Sequence, residues 1–155
     1  MTFKEAVEKT ARLENAWCAG LQALRSQDRR HIEVEDTRKL VGSVDVDAAN
    51  EPFDHHGNRW DFAIACQHTN RPAEVIYWVE THTASDSQVG KVIKKAAWFQ
   101  QWFRSKGKLL ATFEKDILWV SSGATTFTLS STQRKQMAVL GLRPAGGKLH
   151  IRNKR

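Results

Sequence analysis

Apolar positions recur along this chain with two different periods. Between residues 3 and 25, Ala6, Thr10, Leu13, Trp17, Leu21 and Leu24 return every three or four places, the spacing of one helix face. Thr2 and Glu5 ahead of that stripe have capping-box spacing. A polar break at 26–30 follows. Short alternating runs at 31–35 and 42–47 then read as strands, and the turn-forming stretch 48–58 reads as a loop. Residues 59–66 and 75–81 are denser apolar runs, separated by a turn at 69–72. So short a connection makes them antiparallel neighbours.

From Ser85 the period returns to that of a helix. Val89, Val92, Ile93, Ala96, Phe99 and Phe103 form its apolar stripe, Ser85 and Gln88 have capping-box spacing, and Gly107 follows its end. On this spacing Val89, Ile93 and Ala96 face the sheet, which puts Lys91, Lys94 and Lys95 on the opposite side, together with Trp98, Gln101 and Trp102. Residues 116–120 form a further strand, and 125–129 pair back onto it across 121–124. Ser130 and Ser131 cap a helix over 132–140, stopped by Gly141 with Pro144 beyond. Residues 148–151 form a last strand, and 152–155 a basic tail, solvated by default. The expectation is a single α/β domain over 1–155, a central mixed β-sheet flanked by helices.

Composition narrows the class. Apolar residues make up 41% of the 155, enough for a sizeable core. No apolar run is long enough to span a bilayer, and no secretory signal opens the chain. The two cysteines, Cys18 on the first helix and Cys66 at a strand end, lack metal-ligand spacing and read as reduced thiols of a cytoplasmic protein. A net charge of +7 favours a polyanionic partner, nucleic acid above all. Tryptophans do not belong on a solvated helix face. Trp98 and Trp102 therefore mark either a base-stacking surface or, the preferred reading, a contact covered by another element or by a second subunit. No nucleotide-binding glycine loop and no serine or cysteine nucleophile signature is present.

Two carboxylates interrupt the densest strands: Asp61 in the first and Glu80 in the second. A charge in such a segment requires a partner. One is a shared divalent cation; the other is an ordinary ion pair, with Arg59 for Asp61 or a helix N-terminus for Glu80. Asp45 and Asp47 alternate with valines and read as the solvated side of an edge strand. Glu8 and Glu14 on the first helix have nothing to single them out. Asp54, His55 and His56 sit in a polar loop whose spacing does not suit zinc.

The order helix, antiparallel strands, helix, strand, with Asp61 on one strand and Glu80-Thr81-His82 on the next, resembles the PD-(D/E)xK nuclease superfamily. That fold is restriction-endonuclease-like, with an αβββαβ core. The resemblance covers roughly residues 1 to 122, and its motif is three residues long. It implies metal-dependent hydrolysis of DNA or RNA phosphodiesters, with Asp61, Glu80 and the carbonyl of Thr81 holding Mg²⁺ or Mn²⁺. His82 stands where the motif carries lysine and would orient the attacking water or act as a base. Members with altered catalytic residues serve as non-catalytic nucleic-acid-binding or assembly domains, which is the alternative expectation.

Overall fold

The computed structural model describes residues 1–126 and 128–155, with 122–126 as backbone only. In chain order the elements are α1 (Phe3–Glu8), β1 (Trp17–Cys18), α2 (Ser26–Arg29), β2 (Ile32–Val34), β3 (Leu40–Asp45), α3 (Val46–Asn50), β4 (Phe62–Cys66), β5 (Val75–Ser85), α4 (Asp86–Ser105), β6 (Glu114–Thr126), α5 (Ser131–Leu140), β7 (Leu142–Gly146) and β8 (Leu149–Ile151). A mixed six-stranded sheet in the order β1-β3-β4-β5-β6-β7 forms the centre. The β3-β4-β5 part is an antiparallel meander. After α4 the chain returns as β6 parallel to β5, and after α5 as β7 parallel to β6.

The sheet separates two apolar layers. On one face Ala63, Ala65, Ile76, Trp78 and Trp119 pack with Phe3 and Val7 of α1, Val89, Val92 and Phe99 of α4, and Met137 of α5. On the other, Ile64, Tyr77, Val79 and Val120 are covered by Leu24 and by a small parallel pair, β2 with β8. Helices therefore cover one face and a second small sheet covers the other. The alternation of side chains along β4 and β5 divides them between the two layers.

The expected helix over 3–25 ends at Glu8. The Thr10 hydroxyl bonds back to the Ala6 carbonyl at 2.7 Å, and Arg12 takes a left-handed φ of 73°. Trp17 and Cys18 then pair as an edge strand with Val44 and Ser43, so Cys18 lies on a strand rather than a helix. Gly42 permits that contact, since a Cβ there would lie 2.2 Å from the Trp17 indole nitrogen. The apolar stripe does mark burial: Ala6, Thr10, Leu13 and Leu24 are all buried. The stretch 48–58 contains the end of α3 and a 3₁₀ turn at Glu51–Phe53 rather than loop alone. β6 runs unbroken to Thr126 where a hairpin turn is expected. Phe127, in the expected second arm, lies outside the described residues.

Helix α5 begins and ends as its sequence predicts. The Ser130 side chain accepts from the Gln133 backbone N–H at 3.1 Å, Gln133 reciprocates at 3.0 Å, and Gly141 closes the helix at a φ of 67°. The α4 stripe is buried as expected. Its expected capping box does not form: Ser85 makes no side-chain cap bond.

The basic tail is docked rather than solvated. Arg155 forms ion pairs with Asp116 and, at 2.8 Å, with Glu114, while its backbone N–H donates to Asn70 Oδ1 at 2.9 Å. Arg143 reaches Asp116 at 3.0 Å and Arg71 reaches Glu114 at 3.2 Å, which completes a clasp around the start of β6.

Candidate functional site

Asp61 and Glu80 meet on the helix-covered face. Phe62 pairs with Val79 in the β4–β5 ladder, so one step further Asp61 stands opposite Glu80. Their alternation with Ala63 and Trp78 turns both toward α4. There the Lys95 ammonium bonds Glu80 Oε2 closely and Asp61 Oδ1 at 3.3 Å. Glu80 is completely buried, and among the described residues its second oxygen, Oε1, has no hydrogen-bond partner.

This corrects the placement of Lys95 away from the acids. Its position was legible: Val92, Lys95, Phe99 and Trp102 recur at intervals of three and four, so the lysine belongs to the buried stripe itself. Its four-carbon stem carries the ammonium down to the sheet. Trp102 shares that stripe and is buried among Trp78, Phe99 and Phe103. Trp98 stacks on Trp102, and its indole N–H donates to Asp54 Oδ2 at 2.8 Å. The chain itself covers Trp102, while Trp98 stays half-buried and lines an open cleft with Arg12 and Phe53.

The electrostatics of the cluster follow from burial. Desolvation pushes the Glu80 carboxyl well above the usual carboxylate range; the Asp61 charge pushes the same way, and Lys95 opposes both. Burial works against the Lys95 charge, but Glu80 and Asp61 outweigh it and hold the ammonium above its ordinary value. Both partners therefore bind protons more tightly here than they would in water.

Asp61 also ties off the ladder. β4 begins at Phe62, so β5 has no strand partner on that side beyond Val79. The Thr81 N–H is taken instead by Asp61 Oδ2 at 3.0 Å. The Thr81 hydroxyl lies 3.1 Å from the same oxygen and 2.8 Å from Asp28 Oδ1. A single hydroxyl proton serves one acceptor at a time; since Asp61 Oδ2 already receives the N–H, we assign that proton to Asp28. Asp28 is buried and held on its other side by Arg25 at 3.2 Å. The sequence carries no signal for Asp28: it lies in a short polar break, far along the chain from its contact.

His82 sits one pleat beyond Glu80, its Nδ1 3.8 Å from Glu80 Oε2. Its Nε2 pairs with Gln88 Oε1 at 2.7 Å, and its carbonyl accepts from Trp119 Nε1 at 3.0 Å. Gln88 thus orients His82 instead of closing a capping box.

The remaining acids and histidines make no side-chain bond to Asp61, Lys95 or Glu80 among the described residues, although Asp45 and Asp47 lie close to Asp61. Asp47 pairs with Arg59 at 2.7 Å, so Arg59 is not the partner of Asp61. Asp45 is not on a solvated edge, because β1 lies outside β3; it caps α3 by accepting from the Ala48 N–H at 2.8 Å. Burial raises its pKa, with Asp47 and Asp61 adding to the effect. His55 pairs with Glu51 at 2.8 Å, and Glu8 and Glu14 are exposed. Burial pushes the Cys66 thiol up to about 12, leaving it unreactive at neutral pH.

Fold and cluster together define an α/β protein with two sheet-borne carboxylates locked by a helix-borne lysine. No protein family, curated protein or solved structure matches the chain. Among the described residues, no helix is long and apolar enough to cross a membrane, and no group of three or more His, Cys, Asp or Glu side chains could hold a metal ion.

Proposed function

We propose that the protein is a metal-dependent nuclease on a restriction-endonuclease-like core, in which Lys95 takes the role that the motif gives to the lysine replaced by His82. The observation that carries this reading is the Lys95 ammonium held between Asp61 and Glu80. The run β3-β4-β5-α4-β6, with antiparallel strands first and a parallel return after the helix, supports the core assignment.

A divalent cation fits the donors present. Glu80 Oε1 is a buried carboxylate oxygen without a partner among the described residues, and Asp61 contributes a second carboxylate. In a strand, the N–H and C=O of one residue point to the same side. The Thr81 carbonyl therefore shares the side on which its N–H meets Asp61. Two carboxylates and a carbonyl fall short of a closed protein cage, but Mg²⁺ commonly takes one or two carboxylates and completes its shell with water and substrate phosphate. Asp61, Glu80 and the Thr81 carbonyl would hold Mg²⁺ or Mn²⁺; such a cation neutralises phosphate charge and lowers the pKa of a bound water.

The chain's own groups do the rest. Lys95 supplies positive charge beside the acids for a phosphate whose charge grows in the transition state. Its stem is packed in the α4 stripe, so the charge is delivered with little loss of side-chain freedom. Gln88 and the Trp119 indole fix the side chain and backbone of His82, which makes His82 a water-orienting group at the rim. The Thr81 N–H holds the Asp61 carboxylate from the far side, and Asp28 fixes the Thr81 side chain.

Cleavage of labelled DNA and RNA with Mg²⁺ or Mn²⁺ tests the proposal. Wild type should cut, and Asp61→Ala, Glu80→Ala and Lys95→Ala should each lose at least a hundredfold in rate while keeping the circular dichroism of the fold. If wild type cuts neither polymer with any of several divalent metals, the enzyme reading fails. A non-catalytic role then stands, with the same three residues forming a structural ion cluster.

A further inference from the structure

We propose that a cleft on the other side of Thr81 binds a phosphate group of the nucleic-acid strand, next to the phosphate at the acidic cluster; this rests on the nuclease reading above. The cleft has a volume of about 330 Å³ and is lined by Arg25, Gln27, Asp28, Arg30, His31 and Thr81. Its wall is continuous with the cluster, because the Thr81 hydroxyl touches Asp28 within the cleft and Asp61 behind it. A strand running from the acids past the end of β4 would reach this cleft on the side of α2.

The cleft's donors are pre-aimed and unspent. Arg25 uses Nε on Asp28 at 3.2 Å, and Arg30 uses Nε on the Gln27 carbonyl at 3.2 Å. These bonds orient each guanidinium. The terminal N–H groups of both have no protein partner among the described residues. A planar fork of such donors matches two oxygens of one phosphate. His31 Nδ1 lies 3.0 Å from the Gly147 carbonyl, which can only accept, so Nδ1 carries the proton; Nε2 is an acceptor in the neutral ring and donates to a phosphate only as the imidazolium. Among the residues that line the cleft, two arginines face one carboxylate, Asp28, whose two oxygens are taken by Arg25 and Thr81; Asp61 and Asp45 act on Arg25 from behind the wall. The charge of Asp28 thus serves to position Arg25.

Metal-free binding separates this proposal from the cleavage reading. In EDTA, fluorescence anisotropy of labelled oligonucleotides would be measured for wild type, Arg30→Glu, the milder Arg30→Gln, and Lys108→Glu, an exposed site elsewhere with the same charge change as Arg30→Glu. Matched thermal melts establish folding, and Arg30→Gln carries the test if Arg30→Glu melts early. The expected result is at least a tenfold loss of affinity for Arg30→Glu and a salt-dependence slope lower by about 1. Lys108→Glu should change affinity less than threefold. Titration with inorganic phosphate should shift the His31 ring resonances in wild type and not in Arg30→Gln. Equal losses for Arg30→Glu and Lys108→Glu would mean bulk charge alone and would overturn the proposal. Phosphate-induced shifts without any oligonucleotide effect would make the cleft a free-anion site and overturn it as a strand contact. A wild type that never cleaves but shows the Arg30 losses sinks the enzyme and keeps the cleft; one that cleaves with Arg30 indifferent does the reverse.

Discussion

Two charge clusters lie along β5, one beside its start and one at its middle, and they are built on different rules. Beside its start, Asp116 and Glu114 meet Arg155, Arg143 and Arg71. Guanidiniums outnumber carboxylates there, and the groups lie near the surface. At its middle, Asp61 and Glu80 share one ammonium in a buried layer, and Glu80 keeps an oxygen unused among the described residues. The first arrangement is what a fold needs to hold a chain segment down. The second carries a desolvation cost that stability alone does not explain, since buried ion clusters are often matched or exceeded by apolar replacements. Excess acid in a buried place is a reason to look for a ligand; carboxylates that are all paired near the surface are not.

The largest expected effect sharpens this contrast at Lys95. Lys95→Met leaves two carboxylates facing each other without a counter-ion and should cost about 3–5 kcal/mol in denaturant unfolding. The double variant Lys95→Met, Glu80→Gln should recover most of that loss while remaining inactive. Recovery marks the cluster as one kept at the expense of stability; no recovery would make it structural like its counterpart.

Arg155→Ala should come next, at about 1–3 kcal/mol, from the loss of charge-assisted bonds that are partly open to water. Cleavage should be unchanged. A drop in activity after correction for the folded fraction would break the separation between the two clusters.

The smallest effects are in pH, and their signs oppose. The Glu80 pKa is raised in the fold, chiefly by burial, so its contribution to stability is full below the ordinary carboxylate pKa and is lost as pH rises through the raised value. Glu114 is lowered, first by its bond to Arg155, so its contribution is present above the ordinary value and is lost as pH falls through the depressed one. Urea midpoints from pH 3 to 9 should therefore show Glu80→Gln gaining on wild type as pH rises. Glu114→Gln should lose relative to wild type above the carboxylate range and converge with it in acid, by an amount that shrinks with salt. Parallel pH curves for the two variants would remove the distinction.

What the sequence makes visible follows from how local each cause is. The β4–β5 pair was legible because its short turn permits only antiparallel pairing, and that pairing aligns Asp61 with Glu80. Helix α5 was legible because Ser130, Gln133 and Gly141 act within a turn of themselves. The first helix was misjudged because burial periodicity and backbone conformation come apart there: Leu13 and Leu24 are buried, but from turns and loops. Lys95 falls on the wrong side when the sheet-facing side of α4 is taken from Val89, Ile93 and Ala96. Val92, Phe99 and Trp102, all buried, set that side further round the helix, and it includes Lys95. Asp28 had no local signature, because its contact with Thr81 depends on how the layers stack.

The bond from Asp61 to the Thr81 N–H has a spectroscopic consequence. That amide proton belongs to no strand ladder on its side, so its resonance reports the charge on one carboxylate rather than the integrity of a sheet. Neutralising Asp61, or drawing its oxygen toward a cation, lengthens a single hydrogen bond and moves a single peak. If the proposed cation site fills, the Thr81 amide, followed through a Mg²⁺ titration of the intact protein, would gauge its occupancy with neither substrate nor label.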